Sequence, residues 1–123
     1  MEWKVVDLNR ISGRKLSDPF VSITKVNGMF SFSASVSNLL DDDYNYLQFV
    51  TSEEDGKTII AIKLLKEETD NSLKIQRTKN SRGFSVYSSG ICNRYFADGF
   101  KDDDKRISFP VKKVEDTILM IVK

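Results

Sequence analysis

The chain has 123 residues, 40% of them hydrophobic and 30% charged, with 19 Lys and Arg against 18 Asp and Glu. That composition suits one compact domain with its own core and excludes disorder as the whole answer. With one cysteine and no histidine, an internal disulfide, a thiolate zinc cluster and most hydrolase, protease and metalloenzyme plans are excluded.

Met1-Glu2-Trp3-Lys4 leads into a strand-like run, and no apolar run approaches the about 18 residues of a membrane span. The expectation is a protein without signal peptide or membrane partner, intracellular and cytoplasmic. Its net charge of +1 is unevenly spread: +2 over residues 1–28, −6 over 29–70, +4 over 71–99 and +1 over 100–123. The third quarter is therefore the basic one, able to attract a polyanion while the acidic remainder keeps the chain in solution.

In chain order, residues 1–18 give a strand at Trp3–Leu8 and then an aperiodic loop, ISGRKLSDP, that carries Arg14 and Lys15. From Phe20, Val21 and Ile23 alternate with Ser22 and Thr24, and Asn27-Gly28 is a strong hairpin signal because both residues tolerate positive φ. A second strand is expected at Met29–Ser33. Val36, Leu39 and Leu40 at i, i+3 and i+4 predict a short helix over Ala34–Leu40, capped by Ser33 or Ser35. It ends at Asp41-Asp42-Asp43. A hairpin follows, with strands at Tyr46–Thr51 and Thr58–Leu64 around an acidic turn, Glu53-Glu54-Asp55-Gly56. Lys66–Ser72 is charged and polar and links this half to the next.

The second half repeats the plan. Leu73–Tyr87 reads LKIQRTKNSRGFSVY, a hairpin with a turn at Asn80–Gly83, and Ser88–Phe96 is the counterpart of the first helix, with Ile91 and Tyr95 at i and i+4. Asp102-Asp103-Asp104 echoes the first aspartate triplet. Strands at Arg106–Lys112 and Thr117–Val122 close the copy, with Pro110 marking the former as an edge or bulged strand. The chain thus divides into an N-terminal strand and loop over 1–18 and two repeats over 20–65 and 73–123, each strand, strand, short helix, strand, strand. Gly28-Met29-Phe30-Ser31-Phe32 matches Gly83-Phe84-Ser85-Val86, and Ile60-Ala61-Ile62-Lys63 matches Met120-Ile121-Val122-Lys123. The fold class is mainly β: a small single-domain β-barrel.

Three constellations bear on chemistry. The aspartate triplets lack the alternating spacing of a calcium loop, and consecutive carboxylates on a loop splay apart, so they read as solvated connectors and no metal site is expected. Cys92, beside Ile91, Tyr95 and Phe96, reads as a small buried side chain. No glycine-rich phosphate loop exists, no cofactor is expected, and an enzyme is disfavoured.

The basic hairpin remains. Period two puts Lys74, Gln76 and Thr78 on one face of its first strand and Leu73, Ile75 and Arg77 on the other, with Lys79 and Arg82 leading to the aromatic Phe84 and Tyr87. Cations track a phosphate backbone and flat side chains hold unpaired bases, which points to single-stranded nucleic acid. Candidate binding residues are Lys74, Gln76, Arg77, Lys79, Arg82, Phe84 and Tyr87, helped by Arg14, Lys15 and Lys25; Trp3, Tyr44 and Tyr46 are further aromatic candidates. Phe84 occupies the place of Phe30 in the other repeat, which puts a core reading ahead of the base-holding one, and Tyr87, whose hydroxyl tolerates water, is the better surface platform.

Two resemblances attach to these residues. The glycine-ended strand, the FSFS segment, the acidic-Gly hairpin and IIAIK resemble the AbrB-type swapped-hairpin element, and a tandem pair resembles the MraZ arrangement; this implies duplex-DNA-binding regulation. The length, N-terminal strand, basic middle and missing catalytic residues are similar to small phage-encoded single-stranded DNA-binding proteins. Those imply an OB-like barrel, self-association as a homodimer or higher oligomer, and a role in DNA replication or recombination inside the host cell.

Overall fold

The computed structural model describes residues 18–40, 43–77, 82–101 and 103–123. The expected strand at Trp3–Leu8, the candidates Arg14, Lys15 and Lys79, Asn80 and Ser81 of the Asn80–Gly83 turn, and Asp41, Asp42 and Asp102 of the triplets lie outside those residues.

In repeat one, β1 (Phe20–Thr24) and β2 (Met29–Phe32) turn Val21, Ile23, Phe30 and Phe32 into the core. In β2 the burial alternates with period two, while in β1 Ser22, on the other face from Val21 and Ile23, is buried as well. The turn between them ends on Gly28 at φ +65, whose N–H donates to Thr24 O at 3.0 Å, while Asn27 Oδ1 accepts from Met29 N at 3.1 Å. A Cβ on Gly28 would lie 2.6 Å from Ser89 N and 2.7 Å from Ser89 Cα. Gly56 also has positive φ, +77, but open space around it. Gly28→Ala is therefore expected to cost at least about 2 kcal/mol, backbone strain plus clash, against about 1 for Gly56→Ala. Urea unfolding of the two variants measures the difference; equal losses would mean that the Ser89 backbone yields freely.

The expected helix over Ala34–Leu40 is one turn, α1 (Ala34–Ser37), continued by i to i+3 bonds from Leu39 N to Val36 O and Leu40 N to Ser37 O. Tightening keeps Val36 buried with Leu39 and Leu40 against the core. Ser33 stands at the N-cap, but its Oγ accepts from Phe20 N at 3.1 Å, so it ties α1 to β1 and makes no cap bond. Next, β3 (Tyr46–Glu54) and β4 (Lys57–Leu65) meet at a two-residue turn, Asp55 (φ 52) and Gly56, so Glu53 and Glu54 belong to the strand. Two successive positive φ values match the twist of the flanking strands.

Repeat two begins with a strand broken at Ile75 into β5 (Leu73–Lys74) and β6 (Gln76–Arg77), followed by β7 (Phe84–Tyr87). The second helix is α2 (Ser89–Ile91), capped by Ser88 Oγ accepting from Ile91 N at 3.2 Å, running on as a wide π-type turn over Cys92–Phe96 and a tight 3-10 turn over Ala97–Gly99. Then come β8 (Arg106–Glu115) and β9 (Ile118–Ile121). β8 pairs with β1 up to Pro110 and with β9 from Val111. Pro110, which has no N–H to give, stands where β8 changes partner; the bulge itself is at Lys113/Glu115.

All nine strands form one antiparallel sheet in the order β5-β3-β4-β9-β8-β1-β2-β7-β6. Because β5 and β6 at the two ends are halves of one strand, the sheet curls into a nearly closed barrel. The closure is partial: β5 pairs with β3 only at Tyr46 and Leu47, which leaves residues 48–54 along an edge with no strand partner among the described residues. The repeats also interleave: the first strand of each pairs with the third of the other, β1 with β8 and β5 with β3. β2 and β7 pair with Ser31 opposite Ser85, its own counterpart, so an approximate two-fold axis passes between them. Nine strands in two repeats exceed the five of an OB barrel.

One expected match is a residue out. Ile60 and Ile62 are buried, and so are Leu119 and Ile121, whereas Val122 is exposed. Aligning Ile60 with Met120 therefore puts the wrong face inward. Counted from the two-residue turns, Asp55-Gly56 and Asp116-Thr117, Ile60 corresponds to Ile121, and a one-residue shift inverts every side chain.

The core is one cluster. Phe30 lies at its centre, 4.9 Å from the Phe49 ring centroid and 5.5 Å from that of Phe96.

Candidate nucleic-acid interface

The sequence reading of the first basic strand is correct in its alternation: Ile75 is buried and Lys74 and Gln76 face outward, exposed. Arg77 shares the inward side but lies at the strand's end, so it reaches the barrel rim with its side chain exposed. There its Nη2 donates to Tyr44 O at 2.5 Å. Arg82 is exposed at the same rim; its Nη1 donates to Asn38 Oδ1 at 2.8 Å, while its carbonyl accepts from Ser37 Oγ at 2.6 Å. Both arginines line one surface cavity of about 350 Å³ with Ser37, Asp43 and Asn45.

The site is thus built from both repeats. Repeat two brings the guanidiniums, and the end of α1 and the chain before β3 orient them. A guanidinium has five N–H donors in a planar fork, so one bond to the protein leaves others for an oxyanion. Asp43 lines the same cavity and opposes an anion there. Outside the rim, Lys74 stands opposite Tyr46 in register, and Gln76 opposite Ser85. Tyr46 is half-buried and faces outward, since its neighbour Leu47 is fully buried.

Compared with protein-family models, curated proteins and solved structures, the chain matches none. No helix among the described residues is long and apolar enough to cross a membrane, and among them no group of three or more metal-ligating side chains converges.

Other candidates fall elsewhere. Phe84 is 1% exposed and stacks on Phe32, its cross-strand partner, at 4.9 Å between centroids. It is core and cannot hold a base, because the alternation that turns half-buried Ser85 outward turns it inward. Tyr87 is 46% exposed, but it pairs with Met29 at the end of β7 remote from Arg82, about 10 Å from Phe84 along the strand. Lys25 is at that second end too, its Nζ 5.8 Å from the Phe100 ring centroid, beside a cleft lined by Asp103, Asp104 and Lys105. The basic ribbon is therefore not a single face: Arg77 and Arg82 come together, Lys74 and Gln76 flank them, and Lys25 and Tyr87 mark the other end.

Sequence reasoning passed over Ser37, Asn38 and Asn45. Nothing local marks them, since their role depends on repeat two docking against the end of α1. Each described triplet residue lies against the other repeat's first hairpin, Asp43 with Arg77 and Arg82, Asp103 and Asp104 with Lys25. Asp104 also closes its own turn, its Oδ2 accepting from Lys101 N at 3.0 Å. Cys92 is buried and free; burial pushes its thiol up, and the positive charge of Lys25 offsets part of that. A thiol so placed is a core side chain, not a poised nucleophile.

Proposed function

We propose that the protein is a non-enzymatic binder of single-stranded nucleic acid, DNA above all, with little sequence preference, acting in DNA replication or recombination. The observation that carries this reading is the pairing of Arg77 and Arg82 over one rim cavity, with Lys74 and Gln76 exposed beside them. Two oriented guanidiniums suit adjacent phosphates of a backbone, and Tyr46 next to Lys74 offers a flat side chain to a base.

A second reading, a duplex-binding regulator, is favoured by the two interleaved ββαββ repeats. A labelled oligonucleotide titrated by anisotropy, with unlabelled single strand and duplex of the same sequence as competitors, decides between them. Displacement by the single strand at lower concentration is expected. A strong duplex preference at a defined site would replace this reading with the other.

A further inference from the structure

The outer walls of the barrel differ. Around β4 and β9 the outward residues include Val50, Ile59, Ala61 and Met120, rimmed by Glu54 and Glu115. On the opposite wall a row of small polar residues crosses five strands in register: Ser108, Ser22, Ser31, Ser85 and Gln76. Ser22 is buried, 3% exposed, and joined to Ser108 Oγ to Oγ at 2.9 Å; Ser31, Ser85 and Ser108 are half-buried and Gln76 is exposed. β1, β2, β6, β7 and the first half of β8, Arg106–Pro110, contain no aspartate or glutamate. Five strands make a strip about 19 Å across.

Cations stand at both ends of this row. Lys74 lies two residues from Gln76 and, with Arg77, joins the strip to the rim cavity; Arg106 lies two residues from Ser108, outward and exposed. Tyr87, outward on β7 two residues from Ser85, supplies an exposed ring.

We propose that the bound strand leaves the Arg77–Arg82 cavity and crosses this serine-faced wall towards Arg106, with a base on Tyr87. This rests on the single-strand reading above and gives it a path. Small side chains let a backbone approach the sheet closely, and the half-buried hydroxyls of Ser31, Ser85 and Ser108 offer donors and acceptors to phosphate and base alike, whereas Ser22 is buried and engaged with Ser108. The absence of carboxylates on these strands removes the repulsion that Glu54 and Glu115 impose on the other wall. Tyr87 and Arg106, left outside the rim site, thereby acquire a role.

Amide chemical-shift mapping of the full chain with an oligothymidine of about 12 nucleotides, within the site sizes such binders cover, tests the path. Shifts are expected along β1, β2 and β7 and not on β4 and β9. Tyr87→Ala should weaken binding about tenfold with Tyr87→Phe restoring it, and Arg106→Ala should make the slope of log affinity against log salt shallower by about 0.7. Both residues are exposed, so the fold survives. If Arg77 and Arg82 matter but the shifts fall on the other wall, or Tyr87→Ala and Arg106→Ala bind as the parent does, the path is wrong and the rim site stands. If the parent binds no single strand, the reading beneath it fails as well.

Discussion

Arg77→Ala combined with Arg82→Ala is expected to weaken single-strand binding about 30-fold at about 0.1 M salt, taking about 1 kcal/mol for each guanidinium–phosphate hydrogen bond removed. Both side chains are exposed at the rim and bond to the protein only at its surface. Unfolding should therefore shift by less than about 1 kcal/mol, the usual range for exposed polar changes. The salt slope should also become shallower by about 1.4, two phosphate contacts at about 0.7 each on a single strand. Replacement by lysine tests geometry against charge. Lysine keeps the cation but loses the planar fork, so it should recover the slope better than the affinity. An alanine pair that binds as the parent does would remove the rim from the site.

The second large effect is on the fold. Phe30→Ala should cost about 3–5 kcal/mol, measured as a fall in the urea midpoint at constant slope. Phe30 is fully buried, on β2, and touches rings from both repeats: Phe49 on β3 and Phe96 at the end of the π-type turn. Removing it opens a cavity where the interleaved halves meet, with little freedom to collapse. Since a domain of this size is stable by about 5–15 kcal/mol, the variant should be near the edge of unfolding at body temperature. A loss below about 1 kcal/mol would mean that the two halves do not share one core.

These two expectations mark what could be read from the sequence and what could not. Alternation in FVSIT and MFSF was legible because one face of each strand is buried, and period two then fixes which residues point inward. The same logic applied to LKIQR placed Ile75 inside and Lys74 and Gln76 outside. It also placed Arg77 inside, and only the strand's end at the barrel rim explains how a cation can occupy that side. The double occurrence of strand, strand, helix, strand, strand was legible because every element is short and locally patterned.

What escaped was non-local. Nothing in Leu73–Arg77 says that its halves serve different neighbours, β5 on β3 and β6 on β7; yet that break closes the barrel and carries Arg77 to Arg82. Similarly, Asn38 and Ser37 look like the tail of a helix until repeat two docks on them. The mismatch of Ile60 with Met120 came from similar apolar runs set one residue out, IIAIK against MIVK, where only the turns at Asp55-Gly56 and Asp116-Thr117 fix the register. Phe84 and Tyr87 are three residues apart and both aromatic, but an odd separation along a strand must send them to opposite faces. Only one of them could be a platform.

The central claim is that a single strand lies across oriented arginines by its phosphates. The most direct measurement is the affinity of the parent protein for a labelled oligothymidine between about 50 and 200 mM salt. At least two phosphate contacts require log affinity to fall with log salt at a slope of about −1.4 or steeper. Binding indifferent to salt, or no binding at the low end, would contradict the claim.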